Sequence, residues 1–376
     1  MSKVDQLNQI LGYIKDQFVG KDDIIDLLGI ALVARENAFL LGPPGTAKSA
    51  IVRSLSDSIR DGKNFEYLLT RFTEPNEIFG PFDIRKLKEG ELTTNTAGML
   101  PEASMVFLDE IFNANSAILN SLLMALNEKI FRRGQETRKI PALMFVGASN
   151  GLPQDETLNA LLDRFLIRVR CDYVDPDLLE NVLLAGRKLE NNQLAERPFL
   201  HPQDIIELQK LARQVDLSPV SKEYVQLIHS LRNTGIKVSD RRAVKIQNLL
   251  AASALMSHRQ AVNVSDFWVM KYIWDTEEQI EVLGGLIDNI LGKEAHEQAH
   301  PQSLMNKVPN AENLAKEIRD LHLKIDSGQL SFEEQNLLKD KLRYLQTRAT
   351  WIQKEEHKTH LQQQIDALWK KMLTQA

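Results

Sequence analysis

Lys48 and Ser49 close the octapeptide GPPGTAKS at residues 42–49, a run whose residue types and order can cradle phosphate groups. In such a loop glycines let backbone N–H groups wrap the phosphates, and the following helix adds a favourable dipole. The lysine reaches the outer phosphates and the hydroxyl holds magnesium. Here Gly42, Pro43, Pro44, Gly45, Thr46 and Ala47 make the loop, between an apolar strand-like run at 38–41 and a helix-like run from Ala50. The usual pattern has glycine just before the lysine, and Ala47 departs from it. A methyl group is tolerable there if φ stays negative. The bland alternative is a Gly-Pro turn ahead of an ordinary helix; the chemistry elsewhere in the chain weighs against it.

An apolar strand that ends in two acids, MVFLDE at 105–110, supplies the next candidates. Alternation puts neighbouring strand side chains on different sides. Asp109 can then support magnesium through its water shell while Glu110 polarises a water that attacks a terminal phosphate. A solvated DE turn would look alike in isolation, but this one stands about sixty residues after the phosphate loop, at the end of another apolar run. The run LMFVGAS leads directly into Asn150, a neutral amide able to orient that water and contact the phosphate; the competing reading is a turn asparagine before Gly151. Two arginines complete the set, Arg164 in ALLDRF and Arg241 in VSDRR. One arginine of this kind stabilises transition-state charge and can come from a neighbouring subunit. A second, on a mobile domain, can report whether the terminal phosphate is present. As plain surface salt bridges both would be worth little.

His296 to His300 reads HEQAH, which matches the HExxH pattern of zinc metalloproteases with Glu297 as base. Pro301 follows at once and disfavours helical geometry at His300. The surroundings are polar and no third ligand is apparent, so the segment reads as linker.

The chemistry needs a scaffold that gathers strand ends. Apolar runs at 39–42, 67–70, 105–109, 143–148 and 166–170 alternate with helix-like stretches such as 116–127. This is the pattern of an α/β fold with a mainly parallel five-stranded sheet, whose ligands gather at the carboxyl ends of the strands. Past about residue 175 only helix-like segments follow, at 177–189, 204–215, 223–232, 241–258 and 277–291. The expected organisation is a nucleotide-binding core at 1–175, an all-α domain at 176–292, a linker at 293–310 and a C-terminal helical hairpin or coiled-coil extension at 311–376. In the hairpin Leu314, Ile318, Leu321 and Ile325 share one face, and Leu338, Leu342, Leu345, Ala349 and Ile352 share another. Ser327 and Gly328 make the turn, and Ser331 with Glu334 forms a capping box. The stripe either packs on itself and on the rest of the protein or, through Trp351, Trp369 and Met372, offers an exposed docking surface.

With 376 residues and 43% hydrophobic content the chain can bury at least one sizeable core. Its 46 basic and 51 acidic residues give a net charge of -5, which argues for neither a nucleic-acid nor a membrane-surface partner. The one cysteine, Cys171, fits a reducing compartment. MSKVDQLNQI lacks the apolar core of a signal peptide, and no apolar run reaches membrane-spanning length. A cytoplasmic protein is the expectation.

In this order, the phosphate loop, LDEI, the strand-terminal asparagine, LLDRF and SDRR resemble the AAA+ ATPases. More closely, GPPGTAKS, the segment GMLPEASMVFLDEIFNANSAILNSLLMALNEKIFRRG at 98–134, GASNGLP and ALLDRF are similar to the MoxR family and its RavA-like branch. The resemblance covers roughly residues 1–290 and implies an AAA+ core followed by a helical lid domain. It implies ATP and Mg2+ as ligands and ATP hydrolysis between subunits of a ring, commonly a hexamer. Lys48 and Ser49 match the Walker A pair, Asp109 and Glu110 the Walker B pair, Asn150 sensor 1, and Arg164 an arginine finger acting in trans. Arg241 matches sensor 2, with adjacent Arg242 as the other choice. Val19 and Gly20 match the segment that lines the adenine pocket. RFTEPNEIFGPFDI and the polar stretch after it, near 72–97, resemble the helix-2 insert of this clade, facing the pore or a partner. The implied function is a chaperone that remodels or matures clients, with a von Willebrand factor A domain protein bearing a metal-dependent adhesion site as partner. A nucleotide-switched assembly scaffold is the alternative. A nucleic-acid motor is the third reading, carried only by Arg85, Lys86 and Lys88 in the insert.

Overall fold

The computed structural model describes residues 2–134, 136–153, 155–191, 196–292, 298–304, 311–326, 332–349, 352 and 355–374. Its strands are β1 (Ala38–Leu41), β2 (Asn64–Leu68), β3 (Met105–Asp109), β4 (Ile130–Arg133), β5 (Glu136–Lys139), β6 (Met144–Ser149) and β7 (Ile167–Arg170). Five of them form one parallel sheet in the order β2-β3-β6-β1-β7. β1 and β6 are buried along their whole length, as befits strands covered on both faces. The five apolar runs expected from the sequence are these strands. Only β2 lies a few residues early, because at the sheet edge its Asn64, Glu66 and Leu68 point to solvent and no continuous apolar run marks it.

Helices α1 (Lys3–Gln17) and α2 (Asp22–Ala34) precede the sheet, and α3 (Lys48–Asp57) follows the phosphate loop. A capping box between Ser2 and Asp5 starts α1, whose Leu7, Ile10, Leu11 and Ile14 are buried at helical spacing. The expected insert holds two short helices, α4 (Pro75–Phe79) and α5 (Ile84–Lys88). Gly80 lets it fold tightly: φ is +99°, and a Cβ there would sit 1.9 Å from the Asn95 carbonyl oxygen. Next come α6 (Ser116–Glu128), capped by Asn115 Oδ1 accepting from Ala117 and Ile118 N–H, and α7 (Glu156–Leu162). β4 and β5 pair antiparallel, a hairpin the sequence reading did not draw. Arg133 on β4 donates to Gly80 O and Asn76 Oδ1, both at 2.8 Å, and so ties hairpin to insert.

The helical region contains α8 (Leu179–Glu190), α9 (Pro202–Ala212), α10 (Ser221–Asn233), α11 (Asp240–Met256) and α12 (Glu278–Leu291). Its apolar residues join the sheet's in one continuous core, so lid and core are packed together. Arg168 on β7 reinforces the joint by donating to Trp274 O, Asp275 and Leu162 O. Burial, with Arg242 alongside, pushes its guanidinium down to about 10. Burial opposes ionisation of Asp275, yet the Arg168 and Arg242 guanidiniums hold its carboxyl below the usual range.

Part of the expected linker is docked. His300 is buried, stacks on Trp268 at 4.8 Å between ring centroids and accepts from Gln302 N–H through Nδ1, while Gln302 Nε2 donates to Asp26 Oδ2 at 2.7 Å. Burial pushes His300 down to about 4. His296 and Glu297 lie outside the described residues, and among the described residues no group of three or more His, Cys, Asp or Glu could hold a metal ion.

Beyond the linker stand three helices, α13 (Ala311–Asp326), α14 (Phe332–Ala349) and α15 (Glu355–Thr374). The expected hairpin is the first two; Leu361, Ile365, Leu368 and Met372 on α15 pack onto both and complete a second core. The docking stripe is thereby corrected. Met372 is buried and Trp369 packs against this core, while Trp351 and the turn at 327–331 lie outside the described residues. Among the described residues no helix is long and apolar enough to cross a membrane.

Candidate functional site

The phosphate loop joins β1 to α3 where β7 crowds it closely. A Cβ on Gly42 would lie 2.0 Å from the Cys171 carbonyl oxygen, so only glycine fits. Ala47 is the N-cap of α3 with φ 65° and ψ 17°, and its side chain makes no cap hydrogen bond. The condition of negative φ is therefore not met: the loop adopts the left-handed turn that glycine normally supplies, and alanine bears the strain. That strain costs roughly 1–2 kcal/mol, offset in part by the extra unfolded-state freedom a glycine would have, about 0.4–1 kcal/mol. Ala47→Gly is accordingly expected to raise stability by up to about 1.5 kcal/mol, measurable by chemical denaturation.

The uncapped start of α3 leaves first-turn N–H groups open to an anion. Lys48 is 7% exposed and its ammonium donates to Gly42 O at 2.6 Å and Pro43 O at 2.9 Å. Thr46 Oγ1 donates to Pro43 O at 2.9 Å and firms the turn. Ser49 stands in the first turn of α3 with a half-buried side chain.

Strand order explains how distant motifs meet. β6 lies between β3 and β1, so its carboxyl end separates the acids from the loop. Asn150, just past β6, bridges them: its Oδ1 accepts from Lys48 Nζ at 3.3 Å and its Nδ2 donates to Glu110 Oε1. Ser149 Oγ approaches Glu110 Oε2 at 3.5 Å, a contact the sequence reading missed although Ser149 adjoins a named motif. Asp109 ends β3 and accepts from the Glu110 N–H at 2.9 Å. Glu110 itself is left-handed, with φ 49° and ψ 46°. Glu110 therefore lies past the end of β3, in a turn, and strand alternation does not place it.

The arginines lie elsewhere. Arg164 and Arg241 share a small cleft with Asn127 and Asp163 that includes no phosphate-loop residue. Arg241, on the first turn of α11, is exposed and donates to Asn127 Oδ1. Arg164 contacts Asp163 at 3.4 Å, and its buried Nε has no hydrogen-bond partner. Arg242 is committed inside the lid, donating to both Asp275 oxygens at 2.8 and 2.9 Å. Of the two adjacent choices, Arg241 is the one left at a surface. Gly20 stands across from the exit of β7, where a Cβ on it would meet Val174 at 3.0 Å, and Val19 precedes it in the chain with a half-buried side chain. Tyr173, another residue sequence did not single out, donates its hydroxyl to Pro44 O at 3.4 Å.

A parallel sheet of this order with a phosphate loop after β1, acids after β3, a polar residue after β6 and a packed helical lid is the AAA+ nucleotide-binding fold. A family model described as the MoxR domain in the MoxR-vWA-beta-propeller ternary systems matches residues 5–210, and an AAA lid domain model matches 220–287. The chain belongs to the MoxR family of AAA+ ATPases. It is similar to two uncharacterised proteins of Methanocaldococcus jannaschii. MJ0079 is 31% identical over 85% of this chain and 82% of the relative; MJ0812 is 32% identical over 72% of each. Chaperone MoxR1 of Mycobacterium tuberculosis is 24% identical over 53% of this chain and 57% of its own. Among solved structures, a candidate ATPase of Cytophaga hutchinsonii shares the fold with a TM-score of 0.62 at 20% identity, covering 78% of this chain and 95% of that one.

Proposed function

We propose that the chain hydrolyses ATP with Mg2+ as a hexameric ring of identical subunits, in the cytoplasm, and that this cycle remodels or matures client proteins together with a von Willebrand factor A domain partner. The observation that carries this reading is the bridge from Lys48 through Asn150 to Glu110, which couples the phosphate end of the loop to a carboxylate. Lys48 and the first-turn N–H groups of α3 would hold the phosphates. The Ser49 hydroxyl and Asp109 carboxylate are hard oxygen donors suited to magnesium, which neutralises phosphate charge when bound. Glu110 would accept the proton of the attacking water, and Asn150 would keep both in register.

Arg164 and Arg241 stand apart from their own subunit's loop and would serve a neighbour's. A ring supplies that neighbour. The partner class is supported by the description of the matching family model, which names vWA systems; within the family, the motif resemblance favours the RavA-like branch. As a test, full-length chain carrying Glu110→Gln and charged with ATP should retain on affinity resin a vWA-domain protein, identified by mass spectrometry, that Lys48→Ala does not retain. Identical protein sets on both variants would remove the remodelling reading.

A further inference from the structure

Core, lid and C-terminal helices meet around a cavity of about 380 Å³, within the size range of small-molecule sites. Its inner wall is Gly20 and the exit of β7, including Tyr173, whose hydroxyl reaches the phosphate loop at Pro44. β7 flanks β1 on one side, while β6 and β3, which lead to Asn150 and Glu110, lie on the other. The cavity therefore adjoins the loop opposite its hydrolytic end.

The outer wall comes from neither core nor lid. Tyr344 and Arg348 on α14 and Glu317 on α13 close it. Those helices have a core of their own, separate from the core of the rest of the chain, so something polar must fix them here. Lys341 does so: its ammonium donates to both Asp175 oxygens at 2.5 Å and to Asp177 Oδ2 at 3.0 Å, and its side chain is only 13% exposed. Asp175 stands in the segment after β7 whose Val174 and Leu178 lean on Gly20. The anchor thus grips the cavity wall itself.

Charges in the walls pair with one another, Arg170 with Asp172 and Glu277, and Arg348 with Glu317 at 3.0 Å. Lys21 and Lys271 in the wall are also engaged, donating to Asp172 O and to Asp288, and Asp23 and Glu281 stand among them; between these charges lies apolar surface, from Val174, Leu178 and Ile280 on one side and the Tyr344 ring on the other. That surface suits a flat, uncharged heterocycle rather than more phosphate.

We propose that the C-terminal helices complete the base end of the nucleotide site, with Tyr344 contacting the base and Lys341 acting as the positioning residue that holds α14 in place. The proposal rests on the nucleotide-binding reading above and adds residues from outside the core and lid. Calorimetric titration of the full chain with ATP and, separately, with inorganic triphosphate tests it, because triphosphate presents the phosphates without a base. Tyr344→Ala and Lys341→Gln are each expected to weaken ATP about tenfold, the loss of one aromatic–base contact, and to leave triphosphate affinity unchanged; Lys341→Arg should retain ATP affinity. Lys48→Ala should weaken both ligands. Unchanged ATP affinity in the two variants, or equal losses for ATP and triphosphate, overturns the proposal and leaves the nucleotide reading standing. Absence of any Lys48-dependent binding by the unaltered chain overturns both. Lys341→Gln, at the rim of the bundle, carries the test alone should Tyr344→Ala fail to fold.

Discussion

ATP turnover by Glu110→Gln is expected to fall by about 10²- to 10⁴-fold, the usual worth of a positioned general base, while ATP remains bound. Glutamine keeps the shape of Glu110 and an oxygen able to accept from Asn150 Nδ2, so the turn after β3 has no reason to rearrange. What it loses is the capacity to take a proton. Binding should survive because the groups placed to hold phosphate, Lys48 and the start of α3, lie across β6 from the substitution. Single-turnover hydrolysis measured alongside nucleotide occupancy separates the two effects. Normal turnover with ATP bound would move the base to another residue. Partner function, as distinct from capture, that persists in this variant but vanishes in Lys48→Ala would show nucleotide acting as an assembly switch, as a scaffold would use it.

Arg164→Ala should lower turnover by about 10³- to 10⁵-fold, the range for an arginine that stabilises transferring phosphate. The cleft it shares with Arg241 contains no residue of its own phosphate loop, so its effect should appear only through a neighbour. Mixing decides this. Arg164→Ala and Lys48→Ala subunits, each inactive alone, should regain part of the activity when combined, because some interfaces then pair an intact loop with an intact arginine. Failure of every mixture to recover activity, with mixed assembly confirmed by mass spectrometry, would place Arg164 in a structural role at the end of α7.

The sheet was legible because its buried strands are short apolar runs with chemistry at their ends: β3 stops at Asp109, and β6 stops one residue before Asn150. The same local signal disappears at β2, an edge strand with alternating exposure. Strand order, and with it the placing of Asn150 between Lys48 and Glu110, depends on pairings between residues far apart in the chain, which no window of sequence contains. Arg241 and Arg242 are neighbours on one helix; which is buried depends on Asp275, presented from another segment. Ala47 misled for a different reason. Propensity argues against alanine in a left-handed turn, yet the loop holds it at φ 65°. The sequence reading drew a two-helix hairpin over 311–376 and did not draw α15, although its Leu361, Ile365, Leu368 and Met372 recur at helical spacing; periodicity alone does not say whether such a face meets solvent or two other helices.

Strand β1 ends at residue 41, yet its two partners are formed by residues 144–149 and 167–170. At ribosomal speeds of about 5–20 residues per second, roughly 5–20 s pass between emergence of the first and of its nearer partner. For that interval AFLL and the apolar face of α2 have no sheet to join, and such non-local parallel pairings form slowly even in a complete chain. The order of strands that sets Asn150 between loop and acid therefore also leaves β1 without either pairing strand while the middle of the chain is being made.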